Sequence, residues 1–182
     1  MARTSVKKEA ILQAALELFA EKGFSATATK EIAERSGTAE GLLFYYFKDK
    51  RELLMQVVRT FSFHHAIQEK ESALDRLDAE SALMEYGRAY LSFLREHRSY
   101  LLLIWSPELM ADNEISKEVA GLVERIVSGA ARLLERAARN KPVSPQSLEA
   151  AAGMMLSSLL TYSAVGIRLG GRALERDDIF VR

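Results

Sequence analysis

Apolar residues recur at three- and four-residue intervals along nearly all of this chain, the period of one face of an α-helix. Ile11, Leu12, Ala15, Leu18 and Phe19 set the first face and predict a helix over about residues 5–22, stopped by Gly23. Thr27 or Thr29 is placed to cap a second helix reaching Ser36, and Thr38 to cap a short third. Asp49 caps a fourth, whose face is Leu53, Leu54, Val57, Val58 and Phe61. Asp78 opens a helix over about residues 79–96, and an apolar segment over about 98–106 ends before Pro107. Asp112 or Asn113 opens a long helix to about residue 139, broken at Asn140-Lys141-Pro142. Ser144 followed by Pro145 reads as an N-cap and first-turn proline of a last long helix, stopped by Gly170-Gly171. Strand patterns, repeats and linkers are absent from this reading. The fold class is all-α, with about nine helices.

Within this pattern, Ala33, Gly37 and Leu43 have the spacing of a helix-turn-helix. Ala33 is small where two helices cross, Gly37 accepts a positive φ in the turn, and Leu43 packs back with Ile32 and Phe47. The third helix ends in Phe44-Tyr45-Tyr46-Phe47, followed by Lys48 and Lys50. Four consecutive residues span the whole circumference of a helix, so some of these aromatics must be exposed. Exposed tyrosines beside lysines suit phosphate contact.

Residues 7–58 resemble the DNA-binding domain of the TetR family of transcriptional regulators. Ile11, Ala15, Leu18, Phe19, Gly23, Phe24, Thr27, Ile32, Ala33, Gly37 and Thr38 carry the likeness, and the block Gly-Leu-Leu-Phe-Tyr-Tyr-Phe-Lys-Asp-Lys over 41–50 is its most specific part. The resemblance implies that residues 1–50 are a three-helix reading domain for double-stranded DNA and 51–182 a helical effector and dimerisation domain. Thr29 and Lys30 would then meet a phosphate, and Thr38 would cap the recognition helix. Ala39, Glu40, Leu42 and Phe44 would face base edges, and Gly41 would allow close backbone approach. Tyr45, Tyr46 and Lys50 would grip phosphates. Glu40 departs from the commonest pattern, which has lysine there. A carboxylate suits a helix N-terminus but repels phosphate.

Charge adds little to this picture. The 182 residues carry 25 basic and 25 acidic side chains, less basic than a DNA binder is expected to be. Any DNA contact must rest on where charges sit. Cysteine is absent, which excludes disulfides and thiolate zinc sites. Residues 1–8 are basic, but Glu9, Glu17 and Glu21 interrupt the apolar stretch that follows, so it reads as an amphipathic helix of a cytoplasmic protein.

Residues 150–167 contain no charge. Small and hydroxyl residues make the stretch too weakly apolar for a membrane span, so it reads as a helix buried within the protein or between subunits. Gly153, Ser157 and Thr161 recur every four residues, and so do Gly166 and Gly170, letting another helix approach closely. Dimerisation through the last long helices is also what the resemblance implies. Aromatic and methionine residues concentrate in the middle of the chain. Tyr86, Tyr90, Phe93 and Trp105, joined by His64 or His65, are the candidate lining of a site for an apolar small molecule. His97 fits a helix C-terminus. No catalytic constellation, metal-ligand spacing or cofactor motif is found. The stretch Glu175–Arg182 starts like a helix and is either a docked tail or the start of a longer segment.

The expected function is a homodimeric repressor that binds a pseudo-palindromic operator and is released by a small apolar effector. The alternatives are an all-α ligand carrier or enzyme, or a helical adaptor for protein partners, without DNA binding.

Overall fold

The computed structural model describes residues 2–138 and 141–168, with side chains over 6–138 and 141–165. The described residues form eleven helical segments and no strand. These are α1 (Ala2–Lys22), α2 (Thr29–Arg35), α3 (Glu40–Tyr46), α4 (Lys50–Thr60), α5 (Phe63–Gln68), α6 (Glu71–Leu74), α7 (Ala79–Glu96), α8 (Arg98–Ile104), α9 (Pro107–Ala111), α10 (Asn113–Ala137) and α11 (Pro145–Arg168). The all-α class holds. The count exceeds nine because the stretch after Asp49 divides into α4, α5 and α6, and Pro107 starts the separate α9. The expected break at Asn140, the Gly170-Gly171 stop and the segment from Glu175 lie outside the described residues.

The chain divides into two compact units. The first takes in the chain up to Ser62 together with Arg98–Ala120, and is therefore wider than a reading domain of residues 1–50. In it α1 buries Ile11, Leu12, Ala15, Leu18 and Phe19 against α2, α3, α4 and α8. Gly23 (φ 86°) ends α1, its N–H donating to the Phe19 carbonyl. Gly37 (φ 63°) ends α2 in the same manner, with its own N–H on Glu34 O and the Thr38 N–H on Ala33 O. A residue with a Cβ is strained at both positions. Asp49 caps α4 by accepting the Glu52 N–H at 2.7 Å, and the Glu52 carboxylate accepts the Lys48 N–H in return.

Two expected caps are not formed. Ala28 and Ala39 occupy the N-cap positions of α2 and α3. The Thr27 hydroxyl instead donates to the Leu18 and Gly23 carbonyls, tying the loop to α1, while Glu31 accepts the Ala28 N–H. The Thr38 hydroxyl pairs with Ser36, because α3 starts two residues further on. The caps expected of Asp78, Asp112 and Ser144 are present.

The second unit comprises Phe63–His97 and the described chain from Gly121 onward. Phe63 is its aromatic centre, with ring centroids 5.4 Å from Tyr86, 5.0 Å from Tyr90 and 5.4 Å from Phe93. His97 ends α7 and stacks on Phe93. α11 packs on α7 through Ala152, Leu156, Leu159 and Ser163, one helical stripe.

Candidate nucleic-acid interface and effector cavity

α3 is anchored by Leu43 and Phe47, both buried. The aromatic run divides around the helix as its circumference requires. Phe47 points into the core and Tyr46 is half-buried, while Phe44 is 48% and Tyr45 77% exposed. Tyr45 and Tyr46 meet edge to face at 5.3 Å. Ala39 and Gly41 are exposed, and nothing lies within 4 Å of where a Cβ on Gly41 would stand. Leu42 is half-buried.

Glu40 lies in the first turn of α3 and accepts a 2.6 Å hydrogen bond from the Thr29 hydroxyl. The two helix starts are thereby joined, and this carboxylate is directed at α2 rather than outward. Lys30 is exposed on α2, 4.0 Å from Glu34.

Lys50 does not extend outward from the tyrosine edge. Its ammonium donates to Phe24 O at 2.9 Å, to Thr27 O at 2.9 Å and to Ser25 O at 3.4 Å, and sits 4.5 Å from the Phe24 ring centre. Lys48 is an exposed cation just after α3, with no side-chain partner among the described residues. The sequence placed Lys48 with Lys50 beside exposed tyrosines, but only Lys48 stays exposed. Its position directly after the aromatic run was the available signal.

The effector candidates are only partly brought together. Tyr86, Tyr90 and Phe93 gather on Phe63, while Trp105 lies in the first unit and is 51% exposed. A cavity of about 480 Å³ in the second unit is lined by His64, Ile67, Gln68, Glu71, Leu74, Tyr86, Gly129 and Leu133. Arg125, Arg132 and Arg136, on one face of α10, also line it. The wall is therefore more polar than the aromatic set suggested. Arg132 pairs with Glu71 at 3.2 Å, and Arg136 reaches Leu77 O at 2.7 Å. Desolvation and the Arg125 charge lower the His64 pKa, so the ring is neutral near pH 7. The Tyr86 hydroxyl donates to Ile126 O at 2.8 Å, and burial pushes that phenol well above its usual range. Gly129 makes this possible, since a Cβ there would stand 2.9 Å from the Tyr86 oxygen. Burial also raises Tyr90, to about 12.

By length and composition alone α11 is apolar enough to cross a membrane, contrary to the expectation from its small and hydroxyl residues, and 22% of that stretch is buried. Ser157 and Thr161 are exposed and Gly153 is half-buried, next to exposed Met154 and Val165. The hydroxyls of Ser158 and Thr161 donate to carbonyls four residues earlier, so the face carries few unsatisfied polar groups.

Comparison with known proteins agrees with this geometry. The family model of bacterial regulatory proteins, tetR family, matches residues 11–57. YerO of Bacillus subtilis (strain 168), an uncharacterized HTH-type transcriptional regulator, is 28% identical over 115 residues, 62% of this chain and 39% of its own length. RutR of Escherichia coli (strain K12), also an HTH-type transcriptional regulator, is 27% identical over 147 residues, 79% of this chain and 69% of its own. The matched segment thus spans about two fifths of YerO and about two thirds of RutR. In fold, the chain is similar to the transcriptional regulator FadR from Bacillus subtilis, solved in complex with stearoyl-CoA, with a TM-score of 0.76 at 17% identity over 95% of each chain. The helix-turn-helix of this chain, residues 11–57, thus matches the tetR family of bacterial regulatory proteins.

Proposed function

We propose that this regulator is a homodimeric repressor that binds a pseudo-palindromic operator and is released by a small effector in the second unit. The observation that carries the DNA reading is the surface of α3. It leaves Ala39, Gly41, Phe44 and Tyr45 exposed, with Lys48 beside them, while Leu43 and Phe47 hold the helix from behind. Such a surface enters a major groove with small and apolar groups toward thymine methyls and with tyrosine and lysine toward phosphates. Thr29 and Lys30 at the start of α2 supply further phosphate contact, as does Tyr46. Lys50 acts one step back, by holding the loop ahead of α2. Glu40 serves as the acceptor of Thr29 rather than as a reader of bases. Leu42, half-buried, shapes the base-facing surface. The reading domain is proposed as residues 1–50 and the effector and dimerisation part as 51–182.

The α11 face of Gly153, Ser157 and Thr161 supports a twofold dimer, which would cover an apolar helix that one subunit leaves mostly unburied. Two recognition helices would then meet half-sites about one helical turn (~34–36 Å) apart. For the effector, His64 and Tyr86 are the candidate contacts within the cavity, with Tyr90 and Phe93 behind them. The arginines on its wall favour an amphipathic ligand over a purely apolar one, which the acyl-CoA complex of FadR parallels. Trp105 is not part of this site.

Enrichment of a random-sequence DNA pool by the purified protein tests the reading. The expected product is a two-half-site sequence bound in a salt-sensitive manner. Failure to enrich any duplex would refute it.

A further inference from the structure

The loop of residues 23–28 between α1 and α2 is held from two sides. Lys50 takes its carbonyls, as described. The Glu108 carboxylate, on α9, takes its N–H groups: Phe24 N–H at 2.9 Å, Ser25 N–H at 2.8 Å and the Ser25 hydroxyl. Gly23 makes room, since a Cβ there would lie 3.1 Å from a Glu108 oxygen. The Ser25 hydroxyl bond and the two backbone N–H groups, assisted by the Lys50 charge, hold the Glu108 pKa below the usual carboxylate range. A carboxylate accepting three bonds and an ammonium donating three leave this loop little freedom. The loop leads directly into Thr29 and Lys30.

The segment that carries Glu108 has further ties to the same unit. Arg51 on α4 forms a bidentate pair with Asp112 at 2.8 and 2.9 Å, and reaches Glu114. Arg59 pairs with Glu118, and the Tyr100 hydroxyl donates to Val58 O at 2.9 Å. In sequence, Arg98–Ala120 is continuous at both ends with helices of the second unit.

We propose that Glu108 is a positioning residue for DNA binding: its carboxylate fixes the loop that sets Thr29 and Lys30 against the DNA backbone, so a displacement of α9 loosens the reading head without touching α3. The inference rests on the proposed DNA reading.

Glu108→Gln and Glu108→Ala are compared with wild type and with Arg59→Gln, which cuts another tie of the segment but not the loop clamp. Amide hydrogen exchange reads the clamp without DNA. Binding is read by anisotropy on a labelled duplex enriched by the wild-type protein, over a range of salt. Faster exchange at Phe24 and Ser25 is expected in both Glu108 variants, with affinity about tenfold weaker, the loss of a charge-assisted bond. The slope of log affinity against log salt should be shallower by about one, the loss of one phosphate contact. Arg59→Gln should keep the wild-type slope. A protein that is merely less stable keeps that slope too, with a smaller active fraction. Faster exchange with unchanged affinity and slope overturns the proposal, and so does unchanged exchange. If the wild type enriches no duplex, the DNA reading fails and the proposal falls with it, while exchange still reports whether the clamp exists.

Discussion

Both compact units have apolar cores, but different interactions join their segments. In the first, segments far apart in sequence are joined by charge: Arg51 to Asp112 and Glu114, Arg59 to Glu118, and Glu108 and Lys50 to opposite sides of one loop. In the second, the centre is a cluster of rings on Phe63, and the described ion pairs, Arg132 with Glu71 and Arg136 with Asp75, stand at a cavity. Charge-assisted bonds are directional, so they fix geometry more than they add stability when exposed. Ring packing adds stability and tolerates a hollow beside it. The proposed reading head requires the first property and the proposed effector site the second.

The largest test of this contrast is Phe63→Ala. It removes the ring that Tyr86, Tyr90 and Phe93 share, and should cost about 3–5 kcal/mol in urea unfolding. A cost below about 1 kcal/mol would mean that the cluster is not the core of its unit. Gly37→Ala places a Cβ at φ 63° and should cost about 1–2 kcal/mol, with weaker DNA binding because α3 is misplaced. Arg59→Gln should cost no more than about 1 kcal/mol, because the pair is partly exposed, and even that should vanish at high salt.

The pH response tests the loop clamp within the first unit. Glu108 and Asp112 both have folded pKa values below their ordinary 4.5 and 3.8, Glu108 chiefly through Ser25 and Asp112 chiefly through Arg51. A depressed carboxylate pKa contributes stability that is fully present above the unfolded value and is lost as pH falls through the folded one. Exchange at Phe24 and Ser25 should therefore be flat, after correction for intrinsic rate, above about pH 5.5. It should quicken progressively below the ordinary carboxylate range. A loop equally protected at pH 3 and pH 6 would contradict the clamp.

How much was readable beforehand follows the same division. The framework of Ala33, Gly37 and Leu43 and the caps at Asp49, Asp78, Asp112 and Ser144 are local signals, and each residue sits where its backbone conformation requires. Thr27 and Thr38 misled as caps because a hydroxyl can serve any nearby carbonyl or hydroxyl, and both found partners outside the helix starts. Lys50 lies in the most family-specific block, yet its ammonium turns inward to carbonyls that only the folded loop brings near. Glu108 had no sequence signal at all, being 83 residues from Ser25. Trp105 was grouped with the other aromatics by composition, which says nothing about which unit a residue joins. The arginine face of α10 could have been found from the spacing of Arg125, Arg132 and Arg136.

In the proposed DNA contact, the exposed α3 edge grips phosphates while Lys50 works from within. This contact is tested most directly by anisotropy titrations of Lys48→Ala and Lys50→Ala on one enriched duplex at several salt concentrations, each with a melting curve. Lys48→Ala should melt as wild type does, bind more weakly across sequences, and show a salt slope shallower by about one. Lys50→Ala should lower the melting temperature as well as the affinity, because three loop carbonyls lose their donor. Wild-type affinity and slope in Lys48→Ala, or wild-type melting in Lys50→Ala, would contradict the account.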